Sequence, residues 1–188
     1  MLLLGIDFHA TFTVSPVSIV SSNLSLLDRN SSTLTQATIT ITNPLDGLQE
    51  FVFADTTGTA ITADYNSATA TLTLSGIDTV ANYQKVLRTV EYFNTAANPN
   101  TTARTIEFVV DDGEAHSNTS AVATTTITFT LPDFITGTNS SEVIVGTNTI
   151  NIIDGKRGND VIYGYEGDGV SGVGSTATVP TLNPAGGE

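Results

Sequence analysis

The sequence predicts an all-β protein: an antiparallel sandwich with one short helix over residues 1–131, a run of nine-residue repeats at 132–172, and a flexible tail at 173–188. Three observations predict it. From about residue 11 to 131 the apolar residues alternate with period two, and turn signals bound each run. From 128 onward the period changes from two to nine. A length of 188 residues is enough to bury a real core.

The elements follow in order. The first strand changes apolar phase at Pro16, from Phe12 and Val14 to Val17 and Ile19. Proline is confined to sheet edges or bulges, so this reads as an edge strand with a break. Ala37, Ile39 and Ile41 alternate with Thr38, Thr40 and Thr42, and Leu72 and Leu74 with Thr71 and Thr73. Ile106, Phe108 and Val110 repeat the pattern, as do Ile127, Phe129 and Leu131 against Thr126, Thr128 and Thr130. Threonine suits the outward beat because it is β-branched and tolerates water. Turn signals such as Asn43-Pro44-Leu45-Asp46-Gly47 separate the strands, and about seven short strands at this spacing suggest a sandwich. One segment breaks the rule: Asp78 reads as an N-cap, and Val80, Tyr83, Val86, Leu87 and Val90 follow at helical spacing.

The repeats read TFTLPDFIT (128–136), GTNSSEVIV (137–145), GTNTINIID (146–154), GKRGNDVIY (155–163) and GYEGDGVSG (164–172). The last four begin with Gly, and the first four place Ile eighth. The sixth position reads Asp133, Glu142, Asn151, Asp160 and Gly169. Repeats of this kind stack their units around a shared core.

Composition excludes several functions. The chain carries 19 acidic against 6 basic side chains, a net charge of -13. A surface of that sign repels phosphate, so nucleic acid is not a partner, and cations are. The absence of Cys removes disulfides and thiolate metal sites. No apolar run reaches the roughly 18 residues of a membrane span, and the N-terminus lacks the basic region of a signal peptide. His9 and His116 lie far apart, and the chain has no H-E-x-x-H, no G-x-S-x-G and no Walker loop. The expectation is a non-enzymatic protein.

The nonapeptide blocks resemble the GGxGxDxUx repeats of RTX (hemolysin-type) calcium-binding proteins, GKRGNDVIY best of all, with Gly155, Gly158, Asp160 and Ile162 in register. That resemblance implies a short parallel β-roll in which two blocks make one turn and the eighth residue points inward. Calcium would lie between loops stacked 18 residues apart. Glu142 and Asp160 would then face one site, with loop carbonyls completing the six to eight oxygens that Ca²⁺ takes. The second Gly of each repeat is replaced, Asn151 brings no charge and Gly169 no side chain, so the next site is weak.

Residues 5–131 carry a second resemblance, in pieces such as GIDFHATFTVSPVSIV, TLTQATITITNPLDG and ARTIEFVVDDGEAHSNTSAVATTTITFT. They look like the cadherin-like domains repeated in very large bacterial surface proteins. That family implies an immunoglobulin-like Greek-key sandwich, tandem arrays stiffened by calcium, and RTX repeats following behind. Its members carry an acidic D-x-D loop, which here reads Asp28-Arg29-Asn30-Ser31-Ser32 and keeps oxygen at Asp28, Asn30 and Ser32. Asp111-Asp112-Gly113-Glu114 supplies three carboxylates in four residues, although Asp pairs before Gly are also ordinary turn formers.

Both resemblances imply an extracellular or cell-surface module, secreted by a type I route, ordered by calcium and acting in structure or adhesion. Its candidate ligands are Asp28, Asn30, Asp111, Asp112, Glu142, Asn151 and Asp160. Its partners would be neighbouring domains of a surface protein or further copies of itself. An alternative is a filament or sheath subunit, joined when Leu2-Leu3-Leu4, Ile6 and Phe8 add as a strand to a neighbour's open edge. A weaker alternative is a glycan-binding domain. The charge is also distributed unevenly: 12 acids and 4 bases up to residue 132 leave -8, and 7 and 2 beyond it leave -5.

Overall fold

A computed structural model describes residues 7–29, 31–116, 118–147 and 151–163. Asn30, the fifth block at 164–172 and the tail expected at 173–188 lie outside them. The chain divides into two compact units, Met1–Thr130 and Leu131–Glu188.

The first unit is an all-β sandwich. Its larger sheet runs in the order β1 (Phe8–Phe12), β9 (Ala123–Phe129), β8 (Arg104–Asp111), β3 (Thr33–Ile41), β6 (Thr71–Thr79) and β5 (Thr62–Asn66). The smaller one runs β2 (Val17–Ser18), β7 (Glu91–Asn94) and β4 (Glu50–Phe53). All pairings are antiparallel except β1 with β9. The alternation in the sequence is the alternation of burial. Ala37, Ile39 and Ile41 on β3, Leu72 and Leu74 on β6, and Ile106, Phe108 and Val110 on β8 are all buried. The threonines between them face outward and pair across strands, as at Thr40–Thr71 and Thr11–Thr128, both 3.0 Å.

The phase change at Pro16 has a simple cause. The strand leaves the larger sheet after Phe12 and re-enters as β2 in the smaller one, so the inward beat resets. Phe12 is buried where the two sheets meet, its ring edge-on to Tyr92 at 5.5 Å.

The helix α1 (Val80–Leu87) buries Tyr83, Val86 and Leu87. Its N-cap is Thr79 rather than Asp78: the Thr79 hydroxyl accepts from the Asn82 N–H. Asp78 instead ties three groups around that end, accepting from the backbone of Ala60 and Thr79 and from the Asn82 side chain. Burial pushes the Tyr83 phenol up to about 12, and its hydroxyl donates to the Gly76 carbonyl.

Among the described residues the second unit has four short strands in two parallel pairs, β10 (Asp133–Thr136) with β12 (Asn151–Asp154) and β11 (Val143–Val145) with β13 (Val161–Tyr163). Each partner lies 18 residues on: Ile135 opposite Ile153, and Ile144 opposite Ile162. Two nine-residue blocks therefore make one turn of a parallel roll. The eighth-position residues form its interior, with Ile144, Ile153 and Ile162 buried and Ile135 packed against them.

Among the described residues no helix is long and apolar enough to cross a membrane.

Candidate metal-binding loops

The roll explains why Gly and a polar residue recur five positions apart in the second, third and fourth blocks. The sixth-position side chain folds back over the first-position glycine. A Cβ on Gly137 would sit 2.3 Å from Glu142 Oε1, one on Gly155 2.9 Å from Asp160 Oδ2, and one on Gly146 3.5 Å from the Asn151 amide. At Gly137 and Gly155 a side chain would have to displace the carboxylate, whereas at Gly146 a Cβ would make ordinary contact.

What each sixth-position group does there differs. The Glu142 carboxylate accepts from the Thr138 backbone N–H and, at 3.3 Å, from its hydroxyl. Asn151 makes the same closure with Thr147, its Oδ1 accepting from the N–H at 3.0 Å and its Nδ2 donating to the carbonyl at 3.1 Å. Thr147 also donates to Asp133 at 2.8 Å, linking the third block to the first. The fourth block departs from this pattern, because Lys156 in second position pairs with Asp154 at 2.5 Å. Asp160 is left to accept, on Oδ1, the Glu142 backbone N–H from the turn before at 3.1 Å. Its Oδ2 makes no hydrogen bond among the described residues.

Loop stacking continues beyond that contact. The Asn159 N–H donates to Ser141 Oγ, 18 residues earlier, at 3.0 Å. Gly158 has φ +124, and a Cβ there would meet the Ser140 carbonyl carbon and oxygen at 2.8 and 2.9 Å. The structure thus brings the 137–142 and 155–160 loops together, with Asp160 at their junction and the Glu142 carboxylate turned onto its own loop.

In the sandwich, the successive acids at the end of β8 are separated. Asp111 continues the outward beat of Thr105, Glu107 and Val109, whereas Asp112 continues the inward beat of Ile106, Phe108 and Val110. Asp111 is spent on its own loop: Oδ1 accepts from the Gly113 N–H at 2.6 Å and Oδ2 from Asn118 Nδ2 at 3.0 Å. Asp112 Oδ1 accepts from the Glu114 N–H at 2.9 Å. Asp28 lines an open cleft of about 610 Å³ with Leu26, Ser31, Thr79 and Val80. Among the described residues, no three His, Cys, Asp or Glu side chains converge as a ready-made metal site.

Sequence reasoning missed one polar cluster. Arg104 is wholly buried, with Nε 2.8 Å from Glu50 Oε2 and Nη2 2.9 Å from both Glu50 Oε1 and Asp46 Oδ2. Its Nη1 donates to the Thr102 carbonyl, and its guanidinium lies 4.8 Å from the Phe129 ring centre. Tyr92 and Asn94 complete the cluster through Glu50 Oε2 and Asp46 Oδ2. Burial alone would lower the Arg104 pKa, but Glu50, together with Tyr92 and Asp46, outweighs it and holds the guanidinium above its ordinary value. Burial raises the Tyr92 phenol strongly. The signal was present in the sequence: Arg104 falls on the inward beat of β8, two residues before Ile106. Every guanidinium nitrogen has a partner, so the cluster is a structural clasp between the 43–50 and 94–104 segments.

No family model, curated protein or solved structure matches the chain.

Proposed function

We propose that this protein is a calcium-responsive structural or adhesive module of the cell exterior, with Ca²⁺ ordering the stacked loops of its roll and no catalytic role. The observation that carries this reading is Asp160. Its carboxylate lies where two loops meet, bonded through one oxygen to the neighbouring turn and with the other unused. A hard cation taking six to eight oxygens suits a junction supplied by an aspartate and loop carbonyls. The chain has only 6 Lys and Arg against 19 acids, so few internal cations compete for that position.

Stabilisation would follow from mass action: free Ca²⁺ at about 100 times Kd adds about 2.7 kcal/mol. The test is thermal unfolding of the full chain in EGTA and in millimolar Ca²⁺. The midpoint is expected to rise with Ca²⁺ and to lose most of that rise in Asp160→Asn. An unchanged midpoint in the parent chain sinks the reading.

A second reading has one observation in its favour. Strand β1 is the outermost strand of the larger sheet, bonded there, among the described residues, to β9 alone, so its other edge can accept a strand from a further copy. The apolar residues 2–6 expected to drive such addition lie outside the described residues. Particle sizing and electron microscopy with and without residues 1–10 separate a filament subunit from a monomeric module.

A further inference from the structure

The smaller sheet of the sandwich turns an aromatic face outward. Glu50 and Val52 of β4 and Tyr92 and Asn94 of β7 are buried, so the residues between them point away from the core. The register sets Phe51 opposite Phe93 and Phe53 opposite Glu91 on that face. The Phe51 ring lies 6.0 Å from Phe53 and 5.7 Å, edge-on, from Phe93. Phe53 is 37% exposed, and Phe51 and Phe93 are half-buried. Three neighbouring phenylalanines on the outer side of a three-stranded sheet mark a contact surface.

Charge decides what would cover them. Asp55 is exposed and continues the outward beat of Phe51 and Phe53, its N–H donating to Thr89 Oγ1 at 2.9 Å. Hydrogen bonds from Thr57 hold its carboxyl below the ordinary range, so it is charged at neutral pH. Asp55 and Glu91 thus flank Phe53, and neither forms an ion pair among the described residues. Strands β2, β4 and β7 carry no Lys or Arg. Lys85, whose charge reaches Asp55, donates to the Thr57 carbonyl at 3.0 Å. A second copy docking face to face would bring further carboxylates from its own sheet and no base, and like charges at an interface are costly.

The sandwich builds the complementary arrangement once in its own core. There the Arg104 guanidinium lies 4.8 Å from the Phe129 ring centre while it pairs with Glu50 and Asp46. The outer face presents the same two partners, a ring and carboxylates, at opposed positions of paired strands, where side chains start about 5 Å apart. A guanidinium is planar, stacks on an aromatic ring and bonds a carboxylate through two nitrogens at once. We propose that this face is a docking surface for an arginine-bearing basic segment of a partner protein, with the guanidinium stacked on Phe53 and paired with Glu91 and Asp55. None of these residues is a candidate calcium ligand, so the surface is independent of the calcium reading.

The test is fluorescence anisotropy of a labelled octapeptide of alternating Gly and Arg, titrated with the full chain in EGTA, with a Gly-Ser octapeptide as the neutral control. The arginine peptide is expected to bind and the neutral one not. Phe53→Ser is expected to weaken binding by about tenfold. Glu91→Gln keeps the shape of the side chain and is expected to weaken it several-fold, which keeps the test open should circular dichroism show that Phe53→Ser fails to fold. Asp64→Asn removes the same charge from the outer face of the larger sheet and is expected to leave binding unchanged. Absence of binding, or unchanged binding in Phe53→Ser and Glu91→Gln, overturns the proposal. Equal losses in Asp64→Asn and Glu91→Gln overturn it too, because they would mean diffuse attraction to an acidic chain. A Phe53-dependent response to cellohexaose in place of the peptide would give the face to a glycan, and Phe53-dependent dimerisation in sedimentation would give it to a second copy; either result overturns the basic partner. The calcium reading is decided separately by the melting experiment, whichever of these results is found.

Discussion

The sandwich and the roll obey the same period-two rule in their strands and use it to opposite ends. In the sandwich the inward beat buries large side chains, Phe12, Tyr92 and Phe108 among them, and the outward beat is mostly threonine. In the described part of the roll the inward beat carries four isoleucines and the buried Asn151, and the outward beat includes exposed apolar residues, with Phe134 68% and Val143 63% exposed. Burial of apolar area drives folding at about 25 cal/mol per Å². The sandwich draws on both sheets and a helix for it, whereas the roll draws on one small column. Order in the roll thus depends more on its loops, on the Asp160–Glu142 contact and the glycines beneath it, and there a bound cation has the most to add.

The largest effect that separates the two units is expected at the buried clasp. Arg104→Ala leaves Glu50, 1% exposed, as a buried charge without its partner. Breaking such a pair costs about 3–5 kcal/mol. Denaturant unfolding should show the loss in the sandwich transition, while amide exchange of β12 and β13 stays at parent values. Equal loss of protection in both units would show that the roll folds only on an intact sandwich.

Ile153→Ala is the reciprocal change. It removes one of three buried side chains from the roll column, at a cost of about 2–4 kcal/mol. Amide exchange is expected to report loss of protection in β10 to β13 with the sandwich midpoint unmoved. A roll that keeps its protection would mean that the loops, not the column, hold it together.

The two units also differ in how legible they were. The nine-residue period of the roll could be counted from the repeat, because a repeat states its own alignment, whereas the 18-residue register and the inward eighth residue came only from the resemblance to RTX repeats. The sandwich strands were readable from their alternation, since one dry face forces period two. Partnership between distant groups was not readable. Asp111 and Asp112 look like one acidic pair in sequence, yet adjacent residues of an extended chain point to opposite faces, and Asp111 is consumed by Asn118. Glu142 and Asp160 were expected to share one site. The register does stack their loops, but a backbone N–H at Thr138 claims the Glu142 carboxylate. Arg104 shows the same limit from the other side: its inward position could be read, whereas its partners Glu50 and Asp46 lie more than 50 residues earlier.

A smaller effect is expected at Gly158, where the roll's loops touch. Gly158→Ala must hold φ +124 and displace the Ser140 carbonyl, at a cost of about 1–3 kcal/mol. The roll is expected to lose Ca²⁺-dependent stabilisation in thermal melts, because Asn159 and Asp160 follow directly. In the sandwich, Gly47 has φ +58 with no atom within 4 Å of a Cβ, so Gly47→Ala has strain without collision and should cost less. Equal costs at the two positions would mean that the loops are not in close contact.

The smallest effect is on pH dependence, and it too divides by unit. Three aspartates of the described residues titrate below their ordinary range. Asp55 is held down by hydrogen bonds from Thr57, and Asp78 by the N–H of Ala60 with help from Asn82 and Thr79. Asp154 is held down by its hydrogen bonds with Lys156. For a carboxyl whose folded pKa is depressed, the stabilisation is present above the unfolded value of 3.8 and is lost as pH falls through the folded value. Acid therefore weakens both units below about pH 4, the sandwich through Asp55 and Asp78 and the roll through Asp154. Asp78→Asn should flatten the acid limb of the sandwich, because an amide keeps its carbonyl as an acceptor but cannot lose charge. Asp154→Asn should flatten that of the roll, and only at low salt, since the Lys156 pair is exposed and screened. Unfolding between pH 2 and 5 at low and high salt checks both. A sandwich limb that responds to Asp154→Asn would mean that acid unfolds the two units as one, and that their separate packing does not make them separate in stability.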